Sequence, residues 1–299
     1  MREEKSYLRF GIFIFFLFIL IFISSLVFKG PLKHVSSFHF TFMSRGLSDV
    51  IENNLRDKTG DYSIYIEDLS DEETFSKRSN DIYPAASLYK AYLIAAILQE
   101  IKNGELKLDD TLSSNKSHLA ETLGEVDYGY IDAPEKIGYS VEEALTRVGR
   151  VSDNFAAIML MDKIGVEKVQ NMANSLGANE TDIKSPISTS ASDMGKFFTK
   201  LAKKEIIDVE SSDKLIEFLS LNQLNTRIPA LLPENTKVVH KTGELPRIRH
   251  DAGFVTLPSG KIYVIVLMSQ NLKYEDETIE TMAQISKEVY EYFENKYKD

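Results

Sequence analysis

Apolar residues are unevenly distributed along the chain, and their heaviest concentration lies near the N-terminus. Residues 10–28 read FGIFIFFLFILIFISSLVF, without a charge or a proline, and contain seven of the 17 phenylalanines. A helix of this length would span roughly 28 Å, close to the hydrocarbon thickness of a bilayer. A cleaved signal peptide usually has a shorter apolar stretch, about 7 to 15 residues, before a small-residue cleavage site. We therefore expect residues 10–28 to form an uncleaved transmembrane anchor.

Basic residues around this segment predict its orientation. They lie on both sides of it, at Arg2, Lys5, Arg9, Lys29 and Lys33. A single anchor with a short basic N-terminus usually leaves that end in the cytoplasm. We expect residues 1–9 to be cytoplasmic, residues 29–43 to be a juxtamembrane tether and residues 44–299 to form an extracytoplasmic domain at the cell membrane.

Beyond the anchor, the spacing of apolar residues alternates between helical and strand periods. Helical spacing predicts helices over 44–58, 85–102, 140–147, 154–163, 166–176, 191–203, 212–218 and 276–296. Alternating spacing predicts strands over 62–69, 74–80, 238–242, 249–257 and 261–269. Ser44 is a candidate N-cap for the first helix. The segment 85–102 is apolar on nearly every face, which is typical of a helix buried in a core.

The order of these elements predicts the fold class. An early strand hairpin, a block of helices, three late strands and a final helix indicate an α/β (α+β) fold. We expect an antiparallel five-stranded sheet flanked by helices, an all-helical lobe and a cleft between the two. Between residues 103 and 139 the sequence is polar and rich in turn residues, and no regular element is predicted there.

Composition and charge exclude several kinds of function. With 45 acidic and 35 basic residues, the net charge is -10, which argues against nucleic-acid binding. Because there is no cysteine, a disulfide scaffold, a thiol nucleophile and cysteine-ligated zinc are ruled out. The five histidines show no metal-binding spacing, so we expect neither a metal nor another cofactor. The oligomeric state stays open.

A candidate nucleophile begins the buried helix, in the sequence Ser87-Leu88-Tyr89-Lys90. The first turn of a helix favours developing negative charge, and a residue three positions later lies on the same face. A desolvated Lys90 amine would have a depressed pKa and would take the proton from Ser87. The alternative is an N-cap serine followed by a lysine that extends to solvent.

Two further tripeptides carry matching chemistry. Ser152-Asp153-Asn154 precedes a helix, where Ser152 would shuttle a proton and Asn154 would bind a substrate peptide group, or all three would only cap the helix. Lys241-Thr242-Gly243 ends a predicted strand. There Lys241 and Thr242 would bind a carboxylate, and Gly243 would leave room for an extended substrate. The alternative is a strand that simply turns at the glycine.

These three motifs, in this order, form the signature of class A β-lactamases and penicillin-binding proteins. The chain resembles the class A β-lactamase-like serine hydrolases from about Ser44 to its C-terminus. The resemblance implies that Ser87 is the acylated nucleophile, and it gives Lys90, Ser152, Asn154, Lys241 and Thr242 the roles described above. It also implies an oxyanion hole formed by the backbone N–H groups of Ser87 and Glu244. Arg249 lies near the place where some members have a carboxylate-binding arginine.

One motif of that family is missing. Class A β-lactamases carry E-x-x-L-N, whose glutamate activates the water that releases the acyl group, but this chain lacks the motif. The corresponding interval, 176–186 followed by 187–194, is too short for that loop, and its acids Glu180 and Asp182 are typical of a solvated turn. Loss of a positioned base costs about 10²- to 10⁴-fold in the step it serves.

Three functions therefore remain open. The first is an anchored serine hydrolase that is acylated by β-lactams or D-Ala-D-Ala-type cell-wall peptides and released slowly. The second is a true β-lactamase that uses a different deacylation base. The third is a penicillin-binding sensor or binding domain without turnover. In each case the partners are the β-lactam or peptide ligand and the membrane.

Overall fold

The computed structural model describes residues 46–123, 134–184 and 186–298. The predicted anchor 10–28, its flanking residues 1–9 and the tether 29–43 lie outside these ranges. Within the described ranges, no helix is both long and apolar enough to span a bilayer.

A five-stranded antiparallel sheet forms the centre of the described domain, as the sequence predicts. Its strand order is β2-β1-β9-β8-β7. The strands are β1 (Asp61–Asp68), β2 (Thr74–Lys77), β7 (Lys237–Leu245), β8 (Ile248–Thr256) and β9 (Ile262–Gln270). The early hairpin joins the late strands through β9, which pairs with both β1 and β8.

Helices lie on both sides of this sheet. They are α1 (Leu47–Leu55), α2 (Tyr89–Lys102), α3 (Lys116–Leu123), α4 (Val141–Val151), α5 (Asn154–Ile164), α6 (Val166–Ser175), α7 (Ala191–Ala202), α8 (Val209–Ser220) and α9 (Glu275–Lys296). Two short antiparallel pairs join β3 (Tyr83–Pro84) to β6 (Ser188–Thr189) and β4 (Thr111–Asn115) to β5 (Lys136–Ser140).

The central strand β9 explains why both faces of the sheet are covered. Alternate side chains of a strand point to opposite faces. Val264, Val266 and Met268 pack into the core formed with the helical lobe, which includes α2. Ile265 and Leu267 pack on the opposite face, where α1 and α9 supply the apolar partners. A strand buried on both faces requires a continuous apolar run, and IYVIVLM provides one.

Two expectations from the sequence are corrected. Helix α1 begins at Leu47 with Gly46 at its N-cap, so Ser44, which lies outside the described residues, is not the cap residue. The segment from 103 to 139 contains β4, α3 and β5, which the sequence analysis missed. These strands are short and mainly polar, and they form because they pair with each other, in a register that sets Leu112 opposite Tyr139.

Candidate active site

Ser87 lies in a 3₁₀ turn, Ala86–Leu88, that directly precedes α2. The sequence analysis placed it in the first turn of the α-helix itself. The difference arises at Ala86, whose φ of 46° is left-handed and cannot continue a helix toward the N-terminus. Such strain costs about 1–3 kcal/mol and persists only where the surrounding structure enforces it. Ser87 is half-buried, so its hydroxyl lies at the surface of the core.

Lys90 is held inside the protein by groups from the next helix boundary. Its Nζ donates to the backbone oxygen of Ser152 at 2.6 Å, to Asn154 Oδ1 at 2.6 Å and to Ser152 Oγ at 3.3 Å. The side chain is 1% exposed. Lys90 therefore does not extend to solvent, and the structure brings the first two motifs together at its amine.

At the boundary between α4 and α5, helix capping and contact with Lys90 are carried out by different residues of the second motif. Asp153 is the N-cap of α5 and accepts a hydrogen bond from the Ala156 N–H at 2.9 Å. Ser152 ends α4 in the left-handed conformation, with φ 56°. Because Asp153 alone serves as the cap, Ser152 and Asn154 are available to Lys90. The interpretation of all three residues as caps is therefore wrong for two of them.

Lys241 approaches the same serine from the sheet. Its Nζ donates to Ser152 Oγ at 2.8 Å and to the Thr242 backbone oxygen at 2.8 Å. The side chain is completely buried, and this burial lowers the pKa of Lys241 to about 7. Ser152 Oγ thus accepts from two amines, and its own proton can be donated to a third group. This arrangement suits a proton shuttle.

Strand β7 passes close to the Ser87 turn at Gly243. A side-chain Cβ at this position would lie 3.2 Å from the Ala85 backbone oxygen and 3.2 Å from Ala86 Cβ. Glycine therefore allows the strand to approach the Ser87 turn, as its lack of a side chain predicts. The neighbouring Thr242 is buried, at 1% exposure.

Two charged residues after the glycine form ion pairs. Arg249, the candidate carboxylate-binding arginine, forms an ion pair with Glu275. It also donates to the backbone oxygens of Leu245 at 3.0 Å and Ile248 at 2.8 Å. The Glu244 carboxylate pairs with Arg227, a residue that the sequence analysis did not select. Burial would raise the pKa of Glu244, but the hydrogen bond and charge of Arg227 hold it below its usual value.

His250, which no sequence motif marks, contacts the chain just before the Ser87 turn. His250 is fully buried, and its Nε2 lies 2.9 Å from the backbone oxygen of Pro84, three residues before Ser87. Burial lowers the pKa of His250 to about 4, so the ring is neutral near pH 7. A neutral ring donates from Nε2 to Pro84 while Nδ1 accepts from the Ser269 N–H at 3.2 Å. A lone histidine within a strand carries no sequence signal for this role.

The described ranges contain one group of acids that could hold a metal ion, formed by Asp68, Asp71 and Glu73. The Lys296 ammonium contacts all three carboxylates, at 2.9, 2.6 and 2.7 Å. The ammonium group therefore already neutralises negative charge that a metal ion would otherwise neutralise. None of these four residues belongs to the three motifs.

Comparisons with known proteins agree with this geometry. Residues 46–293 match the model of the beta-lactamase enzyme family. Beta-lactamase VEB-1 from Pseudomonas aeruginosa is 24% identical over 82% of this chain and 90% of its own. Beta-lactamase BRO-1 from Moraxella catarrhalis is 27% identical over 73% of this chain and 75% of its own.

Solved structures show the same fold. The structure of PBP-A superposes with a TM-score of 0.75 at 24% identity, covering 83% of this chain and 96% of that one. A mutant of PBP-A is described as an acyl-enzyme complex with penicillin G. TLA-3 extended-spectrum beta-lactamase gives a TM-score of 0.75 at 25% identity, over 84% and 99% of the two chains.

The family match covers the sheet, the helical lobe and all three motifs, and it agrees with the resemblance found in the sequence. This chain belongs to the beta-lactamase enzyme family and is a serine hydrolase of the beta-lactamase type.

Proposed function

We propose that this protein is a membrane-anchored, extracytoplasmic serine hydrolase that is acylated on Ser87 by β-lactams or D-Ala-D-Ala-type cell-wall peptides and is deacylated slowly. The observation that carries the proposal is the meeting of two buried lysines at one serine. Lys90 and Lys241 both donate to Ser152 Oγ, beside the strand that passes the Ser87 turn. Burying two amines is costly unless each is hydrogen-bonded, and here each is.

In the proposed acylation step, Ser87 Oγ attacks the carbonyl carbon of the ligand while Lys90 takes the hydroxyl proton. The negative charge that forms on the carbonyl oxygen is bound by the backbone N–H groups of Ser87 and Glu244. The C–N bond then breaks, and Ser152 donates its proton to the leaving nitrogen. Lys90 returns a proton to Ser152 through their hydrogen bond, and an ester on Ser87 remains.

Asn154 and the end of β7 position the ligand in this proposal. Asn154 binds a peptide group, Lys241 and Thr242 face the group beyond the scissile bond, and Gly243 lets the ligand lie along the strand edge. Arg249 is not assigned a role, because its guanidinium is paired with Glu275 and with two backbone oxygens.

Slow release follows from the short segment between α6 and β6. Its acids Glu180 and Asp182 are both exposed, and Asp182 N and O form a bridge with Ser188 in the turn. The buried acid beside them, Asp193, accepts from Thr181 Oγ1 at 3.0 Å and from the Glu180 N–H at 2.7 Å. These contacts use Asp193 to hold the segment in place, which supports a structural role for it.

Labelling with a fluorescent penicillin tests the acylation and the anchor together. Cells expressing the full chain are fractionated, incubated with the probe, and compared with cells expressing Ser87→Ala. We expect one labelled band in the membrane fraction of the wild type and none in the variant, with an intact-mass increase equal to one acyl group.

A different experimental result would contradict each part of the proposal. An unlabelled wild type, or equal labelling of Ser87→Ala, would contradict acylation at Ser87. A labelled band confined to the soluble fraction would contradict the anchor. Rapid turnover of a chromogenic cephalosporin would favour a true β-lactamase, and labelling without any release would favour a sensor.

A further inference from the structure

The backbone just before Ser87 is strained, and neighbouring elements hold it in that conformation. Ala86 has a left-handed φ of 46°, which a residue other than glycine keeps only where its surroundings fix it. One support is the Ala85 N–H, which donates to the Ile187 backbone oxygen at 3.0 Å beside the pairing of β3 with β6. The other support comes from the central sheet. The shape of the Ser87 turn therefore depends on both neighbours.

Two paired residues of the sheet provide this second support. His250 on β8 lies opposite Gly243 on β7 in the strand register. Gly243 lies against Ala85 and Ala86. His250 contacts the residue before them, since its Nε2 lies 2.9 Å from the Pro84 oxygen. The sheet thus contacts three consecutive residues that lead into the turn.

Hydrogen bonds around the His250 ring define its orientation and tautomer. Nδ1 lies 3.2 Å from the Ser269 nitrogen and 2.9 Å from the Arg249 oxygen, and that oxygen already accepts from Ser269 Oγ at 2.7 Å. Burial lowers the pKa of His250 to about 4, which keeps the ring neutral near pH 7. A neutral ring with its proton on Nε2 donates to Pro84 and accepts from Ser269, so it satisfies both partners.

The contact between His250 and Pro84 differs from the other supports because a side chain makes it. The contacts of Ala85 and Gly243 use backbone atoms, which most substitutions leave in place. Without the His250 donor, the Pro84 oxygen loses a hydrogen bond, at a cost similar in size to the strain in the turn. Relaxation of the turn would then displace the Ser87 hydroxyl, and a misplacement of about 1 Å can slow a reaction about 10²-fold.

We propose that His250 is a positioning residue for acylation: its hydrogen bond to the Pro84 oxygen holds the strained turn so that the Ser87 hydroxyl faces the ligand carbonyl. The ring is fully buried, so it acts through the backbone rather than on the ligand. It therefore affects how fast a bound ligand reacts and not how tightly the ligand binds. The inference rests on the proposed function and adds to it a residue outside the three motifs.

Variants of different reach test the hydrogen bond itself. A glutamine amide lies one bond further from the backbone than an asparagine amide, so His250→Gln can still donate to the Pro84 oxygen. His250→Asn keeps only an acceptor for the Ser269 N–H. His250→Met has the length of glutamine without an N–H donor and is the second variant that lacks the bond. Ser212→Ala is the control, because it removes a fully buried hydroxyl that donates to the Ile206 oxygen at 2.9 Å, outside the three motifs.

The measurement separates reaction from binding. The purified full chain in detergent is mixed with benzylpenicillin at several concentrations, and acylation of Ser87 is followed by intact mass. The data give the first-order rate constant of acylation and the Kd of the complex that precedes it. We expect His250→Asn and His250→Met to lower the rate constant by about tenfold or more, with a Kd within about threefold of wild type. His250→Gln should keep both values within about threefold, and Ser212→Ala should lower only the urea midpoint of unfolding.

Several results would overturn the positioning role while acylation stands. These are rate constants of His250→Asn and His250→Met equal to that of wild type, a His250→Gln protein as slow as His250→Asn, a change confined to Kd, or an equal slowing by Ser212→Ala. If His250→Met does not fold, His250→Asn decides the question alone. If benzylpenicillin does not acylate the wild type, the proposed function falls together with the inference.

Discussion

The protonation of the two lysines hydrogen-bonded to Ser152 determines whether Ser152 can pass on a proton. A side-chain hydroxyl has two lone pairs and one proton, and both amines donate to Ser152 Oγ. Two ammonium groups this close would repel each other, so the site favours one neutral amine. Burial lowers the pKa of Lys241 to about 7, so near neutral pH this amine can take a proton from Lys90 through Ser152, which leaves Lys90 neutral for the acylation step proposed above. Near neutral pH, proton exchange through Ser152 therefore costs little.

The low pKa of Lys241 makes folding stability depend on pH. In the unfolded chain this amine keeps its proton up to about pH 10.4, whereas in the folded protein it loses the proton near pH 7. Between these values the unfolded state binds more protons, so the contribution of Lys241 to the unfolding free energy rises with pH, by up to about 1.4 kcal/mol per unit. Urea unfolding of wild type and Lys241→Gln at pH 7.5 and 9.5 measures this.

Only the difference between the two proteins is informative, because other groups titrate in both. We expect the wild type to gain stability relative to Lys241→Gln from pH 7.5 to 9.5. A constant difference would show that Lys241 has an ordinary pKa in the folded protein.

At the scale of secondary structure, two of the three motifs lie where one element ends and the next begins, and the third lies within β7. Ser87 follows β3, Ser152 joins α4 to α5, and Lys241 lies in β7 just before the strand meets the Ser87 turn. Element ends provide backbone groups without internal partners and side chains aimed at a neighbour. The site therefore requires that these ends be held in place by the packing of whole elements.

The packing of α4 gives a prediction about stability. A Cβ added at Gly149 would lie 2.2 Å from the Phe218 backbone oxygen on α8, so α4 would have to move. We expect Gly149→Ala to lower the unfolding free energy by about 1–3 kcal/mol, as overpacking does. Because Ser152 follows three residues later, acylation should slow as well.

Gly46→Ala is the matched control for this substitution. A Cβ there meets nothing within 4 Å, and its φ of -69° suits alanine. Its effect should stay within about 0.5 kcal/mol. Equal effects of the two alanines in chemical unfolding would contradict close packing at Gly149.

At the scale of the whole domain, the sheet and helical lobe hold the groups proposed for acylation beside the short segment between α6 and β6. These groups come from the 3₁₀ turn before α2, from α2 itself, from the α4–α5 boundary and from β7, and apolar residues of these elements belong to one core. The segment from α6 to β6 is instead a surface turn with exposed acids. This segment is joined to the Ser87 turn, because β6 pairs with β3 and the Ala85 N–H donates to the Ile187 backbone oxygen at 3.0 Å.

The exposure of the acids in this segment predicts a long-lived acyl-enzyme. We expect the acyl group on Ser87 to be released about 10²- to 10⁴-fold more slowly than from VEB-1 in the same assay, the range for loss of a positioned base. The measurement is the decay of the acylated mass after excess penicillin is removed. A half-life similar to that of VEB-1 would contradict the prediction and require another base.

Much of the fold could be predicted from apolar periodicity. The five strands of the sheet and the buried helix α2 were found because their sequences match the burial that they have in the structure. The β4–β5 hairpin was missed, since its few apolar residues gain their stability from pairing across 20 intervening residues rather than from local pattern. The cap at Gly46 was missed because glycine has no side chain to signal it.

The sequence by itself determined most of the elements, the family resemblance and the residues of the three motifs, because these depend on spacing within short segments. Only the tertiary structure decided which motif residues act as caps and which meet at Ser152, that Arg249 is paired with Glu275, and that Arg227 faces Glu244. Those contacts join residues up to 89 positions apart, as between Lys241 and Ser152. Local periodicity carries no information about such pairs, since packing of the whole domain creates them.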